Sequence, residues 1–117
     1  MNPLLLSALL MFGGQWHDPA KHPDCAGVGR WAASMAYVHL KNAGLVSPET
    51  VDFKKTTSVR FASQQIGKDL FHQVHLVTFT KKDGGVVQVI TVNDASNDEC
   101  SMSDVVVFVV SKKLGGP

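Results

Sequence analysis

The sequence predicts one α+β domain in which a long helix packs on a four-stranded antiparallel sheet. Apolar residues recur at helical spacing over residues 28–42, and from Thr56 onward the period of alternation falls from 3.6 to 2. The pair Asp83-Gly84 stands between two apolar runs, which is a strong hairpin signal. A helix followed only by strands is typical of a layered α+β fold.

The helix is predicted over residues 28–42. Gly44 follows it at the position that often ends a helix in the left-handed conformation, and the stretch SPET (47–50) adds one short turn. The stripe expected to face the sheet contains Val28, Trp31, Ala32, Met35, Val38 and His39.

Four strands are predicted after the helix. The first contains the alternating residues Val59, Phe61 and Ser63, the second spans 70–81, and the third spans 86–92. The last strand, VVVFVV (105–110), is uniformly apolar, which predicts burial on both of its faces.

The hairpin turn also predicts a register. If Asp83 and Gly84 are the two turn residues, His75 faces Val92 and lies on the surface that takes the helix. In the same register Val77 faces Ile90. The opposite surface is semi-apolar, so we expect another chain, such as a second copy, or the N-terminal arm to cover it. That surface is predicted to contain Leu76, Thr78, Val87 and Val89.

Length and charge limit the classes of function. A chain of 117 residues has room for one domain. Its 11 Lys and Arg residues against 10 Asp and Glu residues give a formal net charge of +1, and its basic residues do not cluster. Nucleic-acid binding needs a concentrated basic surface, so the sequence argues against it.

The N-terminal segment bears on the compartment. Residues 1–14 include an apolar run of the length found in export signals, which is too short to span a bilayer as a helix. The alternative is an N-terminal helix packed on the core. A polar, proline-containing arm (15–24) then precedes the α+β domain (25–117). We interpret the segment as an export signal, which predicts a periplasmic or secreted protein without a membrane span.

Two cysteines support this interpretation. Cys25 and Cys100 are far apart and have no metal-type spacing, so in an oxidising compartment they would form one bridge. The alternative is a pair of reduced, buried thiols in the cytosol. Since the signal-like segment and the cysteine pair agree, we expect export and a disulfide.

The acidic stretch after the third strand is a candidate binding loop. Asp94, Ser96 and Asp98 have the spacing of the first half of a calcium loop, but Glu99 and Val105 occupy the positions where that loop needs glycine and a bidentate acid. We therefore expect no metal or other cofactor, and a solvated recognition loop held by Cys100. The candidate binding residues are Asp94, Asn97, Asp98, Glu99 and Asp104.

The histidines are weaker candidates. His17 and His22 are metal-type ligands, but the arm that carries them has no fixed geometry, so no metal site is predicted. His72 and His75 are three residues apart and must point to opposite faces of a strand. Either one, with Arg60, could serve acid–base cleavage in a small ribonuclease-like hydrolase. We expect His75 to be a half-buried structural residue instead, so a binding protein is favoured over an enzyme.

The layout also resembles a known group. A cysteine just before a long helix, a tryptophan within that helix (Trp31) and a second cysteine late in the sheet are similar to small exported bacterial proteins of the colicin M immunity protein type. In that group the second cysteine lies on a strand, whereas Cys100 is expected in a loop. The resemblance implies a cystatin-like fold and a periplasmic binding role without catalysis, such as inhibition or immunity. The stretches 39–45 and 89–105 also resemble uncharacterised exported proteins of Gram-negative bacteria, which brings no activity.

Overall fold

The computed structural model describes residues 21–110, so the signal-like segment and His17 lie outside the described residues. The described chain contains one helix, α1 (Trp31–Asn42), and four strands. These are β1 (Val51–Gly67), β2 (Leu70–Lys81), β3 (Val86–Ala95) and β4 (Val106–Val109). The strands form one sheet in the order β1-β2-β3-β4, with each neighbouring pair antiparallel. One helix packed on a four-stranded antiparallel sheet is therefore confirmed.

The prediction of a long helix is wrong, because α1 has 12 residues and begins at Trp31. The residues before it form a turn in which the Arg30 N–H donates to the Gly27 carbonyl oxygen at 2.9 Å. Two glycines in this turn, Gly27 and Gly29, favour it over another helical turn. The predicted end of the helix is confirmed: Gly44 has φ +76°, and Leu45 N–H donates to Leu40 O at 2.9 Å.

The predicted hairpin register is wrong by one residue. Val77 pairs with Val89, and His75 pairs with Thr91. The turn contains three residues, 82–84, because Lys81 N–H donates to Gly85 O at 2.7 Å and Gly84 adopts φ +92°. The additional residue moves every β3 side chain to the face opposite to the predicted one.

The helix consequently packs on a different set of residues. On α1 the buried residues are Ala32, Ala33, Ala36 and Leu40, whereas Val38 and His39 of the predicted stripe are exposed. Small alanine side chains let the helix approach the sheet closely. The sheet side of this core contains Val77, Phe79, Val87 and Val89. Val87 and Val89 were predicted on the opposite surface, and the shifted register explains the correction.

The two edge strands also differ from prediction. β1 begins at Val51, five residues earlier than expected, and its pairing with β2 shifts register at three places. β4 is not buried on both faces: Val106, Phe108 and Val109 are 51%, 54% and 52% exposed. The reason is that β4 is the last strand of the sheet in the described part of the chain. Within residues 21–110, no helix is long and apolar enough to cross a membrane.

Candidate functional site

The loop after β3 is closed by a disulfide. Cys25 and Cys100 are bonded, with their Cα atoms 5.7 Å apart, which confirms the predicted bridge. Trp31, at the start of α1, donates from Nε1 to the Ser103 carbonyl oxygen at 3.0 Å. The N–H of Asp94 donates to Ser103 Oγ at 2.8 Å. The acidic loop, which we define as residues 94–104, is therefore attached to the arm, to the helix and to β3. Its first two residues are the end of β3, so Asp94 lies on a strand and not in the loop predicted for it.

Polar side chains of the acidic loop form hydrogen bonds within the fold. Asn97 Nδ2 donates to Asp69 Oδ1 at 2.9 Å and to Lys21 O at 2.8 Å, so this predicted binding residue anchors the loop. The side chains of Asp98, Glu99 and Asp104 remain exposed. Residues 21–110 contain no group of three acidic, histidine or cysteine side chains that could hold a metal ion. The loop thus presents the carboxylates of Asp98 and Asp104 to solvent, while that of Glu99 accepts from Ser101 Oγ at 2.8 Å.

A shallow pocket of about 240 Å³ lies between the arm and the acidic loop. Basic Lys21 and Arg30 line it together with acidic Asp24, Asp98 and Glu99. Residues of both signs line this pocket, so no single charge is concentrated there. This arrangement suits a polar interface rim better than a small ionic ligand.

The two strand histidines lie on opposite faces of the sheet, as their spacing predicts. His72 is exposed, and its Nδ1 lies 2.6 Å from Oδ1 of Asp94, its cross-strand neighbour. Arg60 lies opposite His75 on β1 and is therefore not on the His72 side. Of the predicted catalytic set, the structure brings together Arg60 and His75, whereas His72 contacts Asp94, a predicted binding residue.

His75 is completely buried rather than half-buried. Burial lowers the pKa of His75 below its usual value of 6.5, and the nearby Arg60 charge lowers it further, while Asp24 acts in the opposite direction. Arg60 itself donates from Nη1 to Pro23 O at 3.0 Å. His75 is thus a neutral core residue at neutral pH.

Sequence reasoning missed the polar cluster that surrounds His75. Gln73 pairs with Asn93, and His75 pairs with Thr91, so the four side chains form a block on β2 and β3. All four are buried. Gln73 Nε2 donates to Pro23 O and Ser63 Oγ, both at 3.0 Å. The signal was present as polar residues at alternate positions of two apolar strands, but only the correct register reveals that they adjoin.

Several atoms of this buried polar cluster have no hydrogen-bond partner among the described residues. They are His75 Nδ1 and Nε2, Gln73 Oε1, Thr91 Oγ1 and Asn93 Oδ1. Residues 21–24 of the arm lie against the cluster: Pro23 is buried, and the His22 ring centroid is 4.7 Å from that of Phe71. His22 Nδ1 also lies 2.6 Å from Ser63 Oγ, so this candidate metal ligand is engaged in the fold.

The sheet surface opposite α1, which we call the outer face, is apolar across all four strands. Two cross-strand rows run its full width. The first row is Val59, Leu76, Ile90 and Phe108, and the second is Ala62, Val74, Val92 and Val106. Val59 is 53% exposed. Leu76 and Thr78 were predicted on this face, but Ile90 and Val92 replace the predicted Val87 and Val89.

Charge is nearly absent from the outer face. The row beside the two apolar rows contains Gln64, His72 and Asp94, and the row on their other side contains Thr57, Thr78 and Gln88. His72 and Asp94 are the ionisable residues in these four rows, and they contact each other. The outer face therefore combines an open apolar centre with the polar rim of the acidic loop at one end.

Comparison with protein-family models, with curated proteins and with solved structures finds no match for this chain.

Proposed function

We propose that this chain is an exported, disulfide-bonded module that binds another protein, in an inhibitor-like or immunity-like role in the periplasm or outside the cell. The outer face would supply the apolar centre of the interface, and Asp98, Glu99 and Asp104 its polar rim. The Cys25–Cys100 bridge supports an oxidising compartment, because such bridges persist outside the reducing cytosol.

The observation that carries this proposal is the size of the uncovered apolar surface. Across four strands at their usual spacing, the two apolar rows cover roughly 20 by 13 Å, or on the order of 250 Å². With the polar rows on either side, the whole face measures on the order of 500 Å². The largest apolar patch on a monomer is about 300–600 Å² and is often functional. The two apolar rows alone come close to the lower end of this range. Val59, Val106 and Phe108 are each more than half exposed, so the surface is accessible.

Export and the bridge are tested together by intact mass. We expect the protein recovered from a periplasmic extract to be shorter than 117 residues and to gain two hydrogen atoms on reduction. A full-length protein with reduced thiols in the cytosolic fraction would refute the exported form.

Binding is tested with matched surface variants. Val59→Asp places a charge in the outer face, and Val38→Asp places one on the exposed side of α1, in the opposite layer. A partner protein captured by the wild type and by Val38→Asp, but lost with Val59→Asp, supports the outer face as the interface. Asp98→Lys tests the rim in the same assay. Equal capture by all variants contradicts the proposed surface, and capture of a second copy would identify the homodimer expected from sequence.

A ribonuclease-like hydrolase is the second candidate, and the contact between His72 and Asp94 is the observation that favours it. A carboxylate bound to one imidazole nitrogen orients the ring for acid–base work. Single-stranded RNA incubated with the purified protein tests this function. Cleavage by the wild type and by His39→Ala, but not by His72→Ala, would establish the enzyme. We expect no cleavage by any of the three.

A further inference from the structure

The two edges of the sheet are built differently. β1 carries Lys54, Lys55 and Arg60, and its register shifts at three places, all of which discourage pairing with another strand. β4 has neither charge nor proline nor a register shift, and its side chains are exposed on both faces. Edge strands without such protection are where other strands add.

The direction of the β4 backbone groups follows from one hydrogen bond. Val110 N–H donates to Gln88 O at 2.9 Å. Hydrogen-bonded residues alternate along an antiparallel strand, so the backbone of Phe108 also faces β3. The N–H and C=O groups of Val107 and Val109 therefore face away from the sheet.

An apolar groove of about 380 Å³ runs beside this edge, between α1 and β4. Val107 and Val109 form its sheet side, and Leu40, Ala43 and Leu45 form its helix side. Leu45 is 45% exposed. A strand added to β4 would place alternate side chains toward this groove, which is the arrangement of strand-addition sites.

We propose that β4 pairs in antiparallel fashion with β4 of a second copy about a two-fold axis. The strand suits itself as a partner, because two identical uncharged strands meet without like-charge repulsion. Pairing of the outward residues places Val107 opposite Val109 of the partner subunit and Phe108 on the axis, where the two rings form a cross-strand aromatic pair.

The interface is small, which sets the expected affinity. Four-residue strands with the flanking groove bury less than the about 1,200 Å² of standard interfaces, so the dimer should be weak and concentration-dependent. This pairing goes beyond the proposed function, since it uses the strand edge and leaves the outer face of each copy open across eight strands.

Sedimentation velocity of the disulfide-bonded protein over a hundredfold concentration range tests the dimer. We expect the wild type to pass from monomer to dimer. Val109→Pro removes an outward N–H group without removing a hydrogen bond to β3, so it should remain monomeric at every concentration. Val59→Asp should still dimerise, because it alters the outer face and not the edge. A dimer lost in Val59→Asp but kept in Val109→Pro would indicate association through the outer face and overturn the proposal.

Oxidative cross-linking gives a second measurement that does not depend on the fold of the proline variant. Phe108→Cys places two thiols at the two-fold axis, at a pair without direct hydrogen bonds, where the Cβ atoms lie about 5 Å apart. We expect a covalent dimer on mild oxidation, with the native bridge intact by mass. Val86→Cys, equally exposed at the start of β3, is the control and should not cross-link. A wild type that stays monomeric together with an uncross-linked Phe108→Cys protein would refute the dimer.

Discussion

At the scale of single residues, the buried polar cluster is the feature that most opposes the stability of the fold. A buried polar group without a partner costs about 1–3 kcal/mol, and the total stability of a domain is only about 5–15 kcal/mol. Five such atoms on Gln73, His75, Thr91 and Asn93 therefore weigh heavily on this fold. The cluster adjoins the arm and the disulfide rather than the helix, where the core is apolar. A contribution to stability therefore does not explain why these four polar residues are buried.

Thr91 and Thr56 form a matched pair that tests whether an unpaired buried hydroxyl lowers the stability of the fold. Both are buried, but Thr91 Oγ1 has no partner among the described residues, whereas Thr56 Oγ1 donates to Asp52 O at 3.0 Å. Valine has nearly the same shape as threonine. We expect Thr91→Val to raise the free energy of unfolding by about 1 kcal/mol and Thr56→Val to lower it by about 1 kcal/mol. Urea denaturation measures both, and a loss of stability in Thr91→Val would mean that its hydroxyl is bound.

His75 makes stability depend on pH. Its pKa is lowered in the folded state, chiefly by burial, so below pH 6.5 the unfolded chain takes up a proton that the folded chain does not. The contribution of His75 is therefore fully present above pH 6.5 and is lost as the pH falls toward the folded-state pKa. Arg60 and Asp24 are the charged groups that act on it. We expect His75→Leu to flatten the fall in free energy of unfolding between pH 7 and pH 5. Parallel curves for the two proteins would contradict this assignment.

At the scale of elements, local chemistry predicted where the chain turns better than how it pairs. Asp83-Gly84 marks a hairpin in either case, but the same two residues fit a two-residue turn or the end of a three-residue turn. That difference is one residue, and it moves Val87 and Val89 from the outer face to the core. The missed cluster follows from the same error, since Thr91 joins His75 only in the observed register.

Gly84 holds that register through its backbone conformation. Its φ of +92° is costly for a residue with a Cβ atom, whereas Gly29, in the turn before α1, has no positive φ and open space at its Cβ position. We expect Gly84→Ala to lower the free energy of unfolding by about 1–2 kcal/mol and Gly29→Ala to change it by less than about 1 kcal/mol. Denaturant midpoints at equal slope measure the difference. Equal midpoints for the two variants would show that the turn tolerates another conformation.

At the scale of the whole molecule, the sequence predicted the disulfide, the acidic loop and a semi-apolar surface opposite the helix, but not the exposure of β4 on that surface. Cysteine count and spacing are local facts, and the loop is visible as a polar interval between apolar strands. Exposure of Val106 and Phe108 depends instead on β4 being the last strand of the described sheet, which no property of VVVFVV reveals. An apolar run predicts burial, but on the last strand of the described sheet that burial is incomplete.

The disulfide links the end of the arm to the acidic loop, next to the buried polar cluster. Cys25 follows the arm, and the Cys100 carbonyl oxygen accepts from Asn93 Nδ2 at 3.1 Å. On the chain-entropy model a bridge across 75 residues contributes about 4 kcal/mol. We expect the double variant Cys25→Ser, Cys100→Ser to lose roughly this free energy of unfolding. Because Pro23 then loses its tether, hydrogen exchange should rise first in the strand ends at Gln73 and Asn93, while Val77 and Val89 beneath α1 stay protected. Uniform deprotection of the sheet would show instead that the bridge stabilises only the fold as a whole.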